Sequence, residues 1–134
     1  MAEFSLSAAF DELIASPQFC ADCAGIKPVS LSEKSAALLV SSRVDLSDRR
    51  KSRPILMSLV DLAMRAALLA QDRFHERALA SSIRMDFFDE LPDAPALVTC
   101  SVVECHDRYV GRISISPEAM QQHVSCVATC TFMR

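Results

Sequence analysis

The sequence predicts a single α+β domain over residues 1–134, in which one long apolar helix packs against a mostly antiparallel sheet. The first observation is the segment 54–74, where nearly every side chain is apolar, and a helix that is apolar nearly all round must be buried on most sides. The second is a set of short segments with strand-like patterns on either side of this helix. No Pro/Gly/Ser-rich linker divides the chain, so we expect one hydrophobic core.

The shorter elements follow from local patterns. Apolar residues recur at near-helical spacing within residues 1–18 before Ser16-Pro17 ends the run, and Ser5 or Ser7 can cap this N-terminal helix. The last strand places alternate small and aromatic residues on one face, as core packing requires. The predicted strands are Ile26–Leu31, Ser35–Val44, Ser81–Phe88, Ala96–Cys105, Tyr109–Ser116 and His123–Met133.

The long helix is predicted over 54–74, with Ser52 as its N-cap and Pro54 in its first turn, where the missing proline N–H does no harm. At about 100° per residue its polar exceptions fall on one narrow stripe. The helix is therefore expected to be enclosed, with a single polar seam. The residues of that seam are Ser58, Asp61, Arg65 and Asp72.

Composition excludes several functions. The formal net charge of −3 argues against a nucleic-acid-binding protein, which needs a basic surface. Two glycines are too few for a Gly-rich phosphate loop. The N-terminus does not read as a secretory signal, and no apolar run reaches the roughly 18 residues of a membrane span. We therefore expect a cytoplasmic protein without a membrane partner.

The six cysteines are predicted to be reduced thiols that pack as small apolar groups. Cys20 and Cys23 have the spacing that opens a zinc site, but no second ligand pair follows at suitable distance, so no metal is expected. Cys105 and His106 are neighbours on a strand and point to opposite faces, which excludes a direct Cys–His pair.

Four segments, in this order along the chain, resemble the hotdog fold and within it the acyl-CoA thioesterases of the phenylacetate-degradation type. The helix segment carries the family's Leu-x-Asp-x-Ala core at Leu59–Ala63, and the strand after it ends in an Asp-Phe motif. The resemblance covers the chain from about Phe19 to its end. The four segments are Gly25–Leu31, Ile55–Ala67, Ile83–Phe88 and Gly111–Phe132.

The resemblance implies a thioesterase whose site spans a subunit interface, in a homodimer or a dimer of dimers. It implies that Asp61 is the nucleophile or general base, that the backbone N–H of Arg53 stabilises the oxyanion, and that Ser81 or Ser82 positions the substrate. The implied substrate is an acyl or aryl thioester of coenzyme A or of an acyl carrier protein, with no separate cofactor. Residues expected to line the substrate are Ser52, Pro54, Ser58 and Arg65.

One departure keeps an alternative open. The family usually carries His-Gly-Gly where this chain reads Ser52-Arg53-Pro54, and proline has no N–H to offer an oxyanion. This favours a non-catalytic hotdog protein that binds an acyl chain or another apolar ligand. A dehydratase-like enzyme ranks last, because the helix lacks the His or paired acid such enzymes use.

Two other features have competing interpretations. Asp61 and Arg65 have the i,i+4 spacing of an ordinary helix salt bridge, so the carboxylate can be structural instead of catalytic. The basic run of Arg49, Arg50 and Lys51 is predicted either to bind the phosphates of coenzyme A or an acidic acyl carrier protein, or to be a solvated loop.

Overall fold

The computed structural model describes residues 6–15, 25–41, 49–69, 80–91 and 95–133. Across these ranges two α-helices and six strands follow one another, with a short 3₁₀ turn at Glu118–Met120 before the last strand. Their bounds are α1 Leu6–Ile14, β1 Ile26–Ser32, β2 Ser35–Val40, α2 Arg49–Ala67, β3 Ala80–Phe87, β4 Ala96–Cys105, β5 Arg108–Pro117 and β6 Cys126–Met133.

The six strands form one antiparallel sheet in the order β1-β2-β4-β5-β6-β3. Helix α2 packs across one face of this sheet, against β4 and β2 and then against β5 and β6. Strand β3 comes directly after α2 in the described order but lies at the far edge, paired only with β6. The predicted α+β class is confirmed, with a long helix laid against an antiparallel sheet.

Alternation along the strands sorts the side chains between the two faces of the sheet. In β2 the buried positions are Ala36, Leu38 and Val40, and their neighbours are half-buried. In β6 every second residue from Cys126 to Phe132 is buried. Because α2 covers only one face, a period of two is the pattern such a sheet requires. The inward face predicted for β6 is confirmed, and the structure shows that the inward face of β2 is the one with Ala36, Leu38 and Val40.

Helix α2 begins one turn earlier than predicted. It starts at Arg49, so the prediction that it starts at Pro54 is wrong, and Pro54 is an interior residue. An interior proline cannot donate to the carbonyl four residues back, here that of Arg50, and in an ordinary helix costs about 3 kcal/mol. The apolar residues that follow Pro54 are mostly buried, and their burial stabilises the helix enough to offset the cost of the proline in the turn before them.

The other end of α2 also differs from the prediction. The helix ends at Ala67 and not near residue 74, and a turn follows at Leu68 and Leu69. The N–H of Leu68 is shared between the carbonyls of Met64 at 3.1 Å and Arg65 at 3.2 Å, which tightens the last turn. Asp72 lies outside the described residues. No helix in the described part of the chain is long and apolar enough to cross a bilayer.

Several smaller differences concern element ends, and those of β1, β3 and β5 are of one residue at an end. Helix α1 covers Leu6–Ile14, with Ser7 inside it, whereas Ser5 and Ser16-Pro17 lie outside the described residues. Strand β2 ends at Val40 instead of Val44. Strand β6 begins at Cys126 and not at His123, because the Ser125 N–H donates to the Ile115 carbonyl before the regular ladder starts.

Three of the four described cysteines pack in the core. Cys100, Cys126 and Cys130 are buried and free, as predicted, and burial raises the pKa values of their thiols to about 12, about 11 and about 12. Cys105 is free but exposed, so the packing prediction is wrong for it. It lies at the β4–β5 turn, beyond the end of α2's cover. Cys20 and Cys23 lie outside the described residues.

Gly111 on β5 is required by the packing of Met64 from α2. A Cβ at Gly111 would lie 1.9 Å from the Met64 sulfur and 3.5 Å from the Cys100 sulfur. Because Met64 is fully buried, we expect Gly111→Ala to lower the free energy of unfolding by about 1–3 kcal/mol in urea titrations. The same change in a Met64→Ala background is expected to cost clearly less. Equal losses in the two backgrounds would contradict this contact.

Candidate active site

Helix α2 leaves one strip of its surface uncovered. Pro54 and Met57 are exposed, Ser58 and Asp61 are half-buried, and their spacing puts all four on one side of the helix. From Leu62 to Leu68 every side chain is buried. The predicted enclosure therefore holds for the C-terminal half of the helix, whereas the preceding turns present a surface on which Asp61 is the carboxylate.

Asp61 is paired with Arg65, one turn further along α2. The Arg65 Nε donates to Asp61 Oδ1 at 3.0 Å, and the two side chains are 4% and 24% exposed respectively. The Asp61 carboxylate thus lies where a buried cation meets the uncovered strip. This i,i+4 pair is the one that the sequence spacing predicted. Its depth distinguishes it from an ordinary surface salt bridge, which contributes little.

The surroundings of Asp61 act on its pKa in two directions. Burial raises the pKa of the carboxyl above its ordinary value of 3.8, because the charged form loses hydration. The charge of Arg65 and its hydrogen bond lower the pKa, but by less. The carboxyl is therefore a stronger base than a solvated aspartate, which is the property that proton abstraction from water needs.

Two residues of β6 complete these surroundings. The Arg65 guanidinium carbon lies 5.1 Å from the centre of the Phe132 ring, within the range of a cation–π contact. Cys130 lies close enough for the charges of Asp61 and Arg65 to act on its thiol. Sequence reasoning placed Cys130 and Phe132 in the core through strand alternation. Their approach to the Asp61–Arg65 pair left no signal in the sequence, because it depends on how α2 crosses the sheet.

The predicted positioning hydroxyls lie on the neighbouring edge strand. In the β3–β6 register Ala80 pairs with Phe132 and Ile83 pairs with Cys130, so the start of β3 runs beside the two β6 residues that lie near the Asp61–Arg65 pair. Ser81 and Ser82 are both exposed, at an irregularity in this pairing. The Ser81 Oγ donates to the Thr131 carbonyl at 3.2 Å.

The start of α2 differs from what the oxyanion prediction assumed. The N–H groups at the start of a helix lack helical acceptors, and within α2 these are the N–H groups of residues 49–51. Arg53 is the fifth residue, so its N–H has the Arg49 carbonyl as its helical acceptor. The predicted role of Arg53 relied on a helix that begins at Pro54. The backbone of Ser52 also lies within the helix, so Ser52 is not the N-cap that the sequence predicted.

Other polar groups and depressions lie away from Asp61. His123 contacts Asp89 through Nε2 on the surface, and that hydrogen bond lowers the pKa of the Asp89 carboxyl. A depression of about 680 Å³ is lined by residues 118–123, and one of about 300 Å³ lies between α1 and β1. Within the described ranges, no three His, Cys, Asp or Glu side chains are grouped so that they can hold a metal ion.

The chain is similar in structure to several solved thioesterase proteins. It superposes on thioesterase superfamily member 2 of zebrafish with a TM-score of 0.77 and 13% identity, covering 98% of this chain and 99% of that one. A mutant of the phenylacetic acid degradation protein PaaI of Thermus thermophilus gives a TM-score of 0.61 at 25% identity, covering 82% and 93%. A hypothetical thioesterase of Streptococcus pneumoniae, solved with coenzyme A, gives 0.71 at 10% identity, covering 94% of each chain.

Comparison by sequence, by contrast, finds no match. No protein-family model matches the chain, and no curated protein matches it in sequence. Similarity at these identities concerns the backbone, so it establishes the hotdog fold found in thioesterase superfamily proteins. The chemistry of the site has to be argued from the side chains themselves.

Proposed function

We propose that this chain, which has the hotdog fold of thioesterase superfamily proteins, hydrolyses acyl or aryl thioesters of coenzyme A with Asp61 as its base. The observation that carries the proposal is Asp61 itself. It is a half-buried carboxylate with a raised pKa, on the uncovered strip of a helix whose residues from Leu62 to Ala67 are all buried. Perturbed carboxylates in such positions are typical of catalytic sites.

In the proposed reaction Asp61 takes a proton from a water molecule as the water oxygen bonds to the thioester carbonyl carbon. The carbonyl electron pair moves to the oxygen and forms an oxyanion. When that pair returns, the carbon–sulfur bond breaks and the thiolate leaves with the proton that Asp61 had taken. The products are a carboxylic acid and a free thiol, so the thiol is the direct readout of turnover.

Coenzyme A is proposed as the thiol carrier because of the first turn of α2. Residues 49–51 are all basic, although positive charge near a helix N-terminus is unfavourable for the helix dipole. A phosphate bound there would relieve this repulsion and would accept from backbone N–H groups that lack helical acceptors. The Streptococcus pneumoniae neighbour, which was solved with coenzyme A, supports the same ligand class.

A second copy of the chain is proposed to complete the site, as a homodimer or a dimer of dimers. Strand β3 is an edge strand, and Phe87 and Phe88 at its end are 55% and 68% exposed. Met57 beside Asp61 is 48% exposed. Apolar side chains next to an open sheet edge are typical of a surface covered by a partner.

The experiment that tests the proposal is thiol release from a panel of medium-chain, long-chain and aryl coenzyme A thioesters, with the size of the protein in solution measured in parallel. We expect turnover of at least one class by a dimer or tetramer. The specificity constant kcat/KM is expected to rise with pH through a pKa above 3.8 and then to level off. The reason is that burial raises the Asp61 pKa, and only the ionised carboxylate accepts a proton. A folded oligomer that releases no thiol from any substrate would reject the proposal.

The second candidate is a binding protein without turnover, and Pro54 favours it. Pro54 occupies the position where thioesterases of the resembling family carry a glycine, and it offers no N–H to an oxyanion. A binding protein predicts that acyl-CoA or free fatty acid raises the melting temperature with ligand concentration. In that case no thiol appears in the same samples.

A further inference from the structure

Arg65 is a charged residue in an otherwise apolar, fully buried stretch of α2. Its side chain is 4% exposed, and its neighbours Met64 and Ala66 are 0% and 1% exposed. A guanidinium at this depth has lost most of its hydration, so partners in the protein must replace the lost water. An apolar residue would fill the same position without the free-energy cost of desolvating a charge. The presence of arginine there indicates that the charge has a function.

The contacts of Arg65 hold its guanidinium on two sides. Its Nε donates to Asp61 Oδ1 at 3.0 Å, and its guanidinium carbon lies over the Phe132 ring, 5.1 Å from the ring centre. Because Phe132 is fully buried on β6, the ring is a fixed surface against which the guanidinium rests. The carboxylate that Arg65 holds is therefore tied, through the guanidinium, to the sheet as well as to its own helix.

Arg65 is also the cation that acts on Asp61 from within the core. The titratable groups on the inward faces of the described strands packed against α2 are thiols and one phenol, none of which carries a positive charge. Cys130 of β6 lies near the pair, and burial raises the pKa of its thiol to about 12, so it is uncharged at neutral pH. These groups are Cys100, Tyr109, Cys126 and Cys130.

We propose that Arg65 is a positioning residue for the reaction of Asp61, keeping its carboxylate ionised in a half-buried site and fixing its orientation toward the uncovered strip. This inference rests on the proposed function of Asp61. A carboxylate that keeps its proton cannot accept another from water, and one that rotates freely meets the water less often in a productive geometry. A protonated or freely rotating carboxyl group would lower the turnover rate without changing the fold.

The test compares Arg65→Met and Arg65→Lys with the wild-type protein. Methionine removes the charge but keeps a long apolar side chain, whereas lysine keeps the charge and loses the planar group. For Arg65→Met we expect kcat to fall by about tenfold to a hundredfold with KM little changed, and the acidic limb of kcat/KM to move to higher pH. For Arg65→Lys the limb is expected to stay near its wild-type position while kcat falls less.

Arg108→Met is the matched control, since Arg108 is 58% exposed at the start of β5 and pairs with Asp107. We expect it to leave both kcat and the pH profile unchanged. A purely structural Arg65 predicts loss of folded protein in Arg65→Met without movement of the acidic limb. An unmoved limb and an unchanged kcat per folded molecule would overturn the proposal. If Arg65→Met does not fold, a limb displaced in the folded Arg65→Lys protein overturns it.

A carboxyl titration separates this inference from the proposed function. Asp61 in ¹³C-labelled protein is titrated by NMR in the wild type and in Arg65→Met, with no substrate present. We expect its titration to move to higher pH in the variant. Absence of thiol release from the wild type rejects the proposed function alone, whereas a titration that does not move in the variant rejects the role of Arg65 whatever the turnover.

Discussion

Asp61→Asn is expected to lower kcat for thioester hydrolysis by about a hundredfold to ten-thousandfold, which is the contribution of a positioned general base. The amide has the shape of the carboxylate but cannot take a proton from water. Its oxygen still accepts from Arg65 Nε, so the buried guanidinium keeps a partner and the variant is expected to remain folded. Thiol-release kinetics and thermal unfolding on the same preparation measure both effects.

The control for Asp61→Asn is Asp107→Asn, which removes a carboxylate that is 72% exposed at the β4–β5 turn. We expect wild-type kinetics from it, because Asp107 lies far along the sheet from α2. If Asp61→Asn turns over thioesters at the wild-type rate, Asp61 is a structural partner of Arg65, and the base must be sought elsewhere on the uncovered strip.

Phe132→Ala is expected to be the most destabilising of the changes considered, with a loss of about 3–5 kcal/mol in the free energy of unfolding. Phe132 is 0% exposed, packs in the core on β6 and lies beneath the Arg65 guanidinium. Its removal leaves a cavity and also takes away the surface on which a buried cation rests. Because domains of this size are stable by about 5–15 kcal/mol, the loss is a large part of the total. Urea unfolding measures it.

Met133→Ala is the matched control for Phe132→Ala. Met133 is the next residue on β6 and is 39% exposed, because successive strand residues point to opposite faces of the sheet. We expect its loss to stay within about 0.5 kcal/mol, as for other surface substitutions. Comparable losses from the two variants would show that α2 does not cover the inner face of β6 in the way the structure describes.

Strand positions could be predicted closely, because a strand with one buried face shows its period of two directly. Strand β4 has the predicted bounds, Ala96–Cys105, and the inward residues of β6 are those that alternation indicated. The ends of α2 could not be predicted in the same way. Pro54 fits a first turn by local rules, yet the buried residues after it sustain a helix that already began at Arg49.

The candidate site, likewise, could be predicted only in part. Its carboxylate could be proposed from the sequence only through the Leu-x-Asp-x-Ala resemblance, since the i,i+4 spacing of Asp61 and Arg65 by itself indicates a structural pair. The environment that makes this carboxylate chemically distinctive could not be predicted, because the burial of Asp61, the nearby Cys130 and the contact of Phe132 with Arg65 depend on segments that are distant in the chain.

Local patterns of polarity were thus enough to predict the α+β class, the strands and the long buried helix, because each is encoded by the period of neighbouring residues along the chain. The burial of Arg65, the turn in which α2 begins and the place of β3 at the sheet edge next to β6 came only with the tertiary structure. These features arise from packing between elements remote in sequence, where the free energy of burial outweighs local preference.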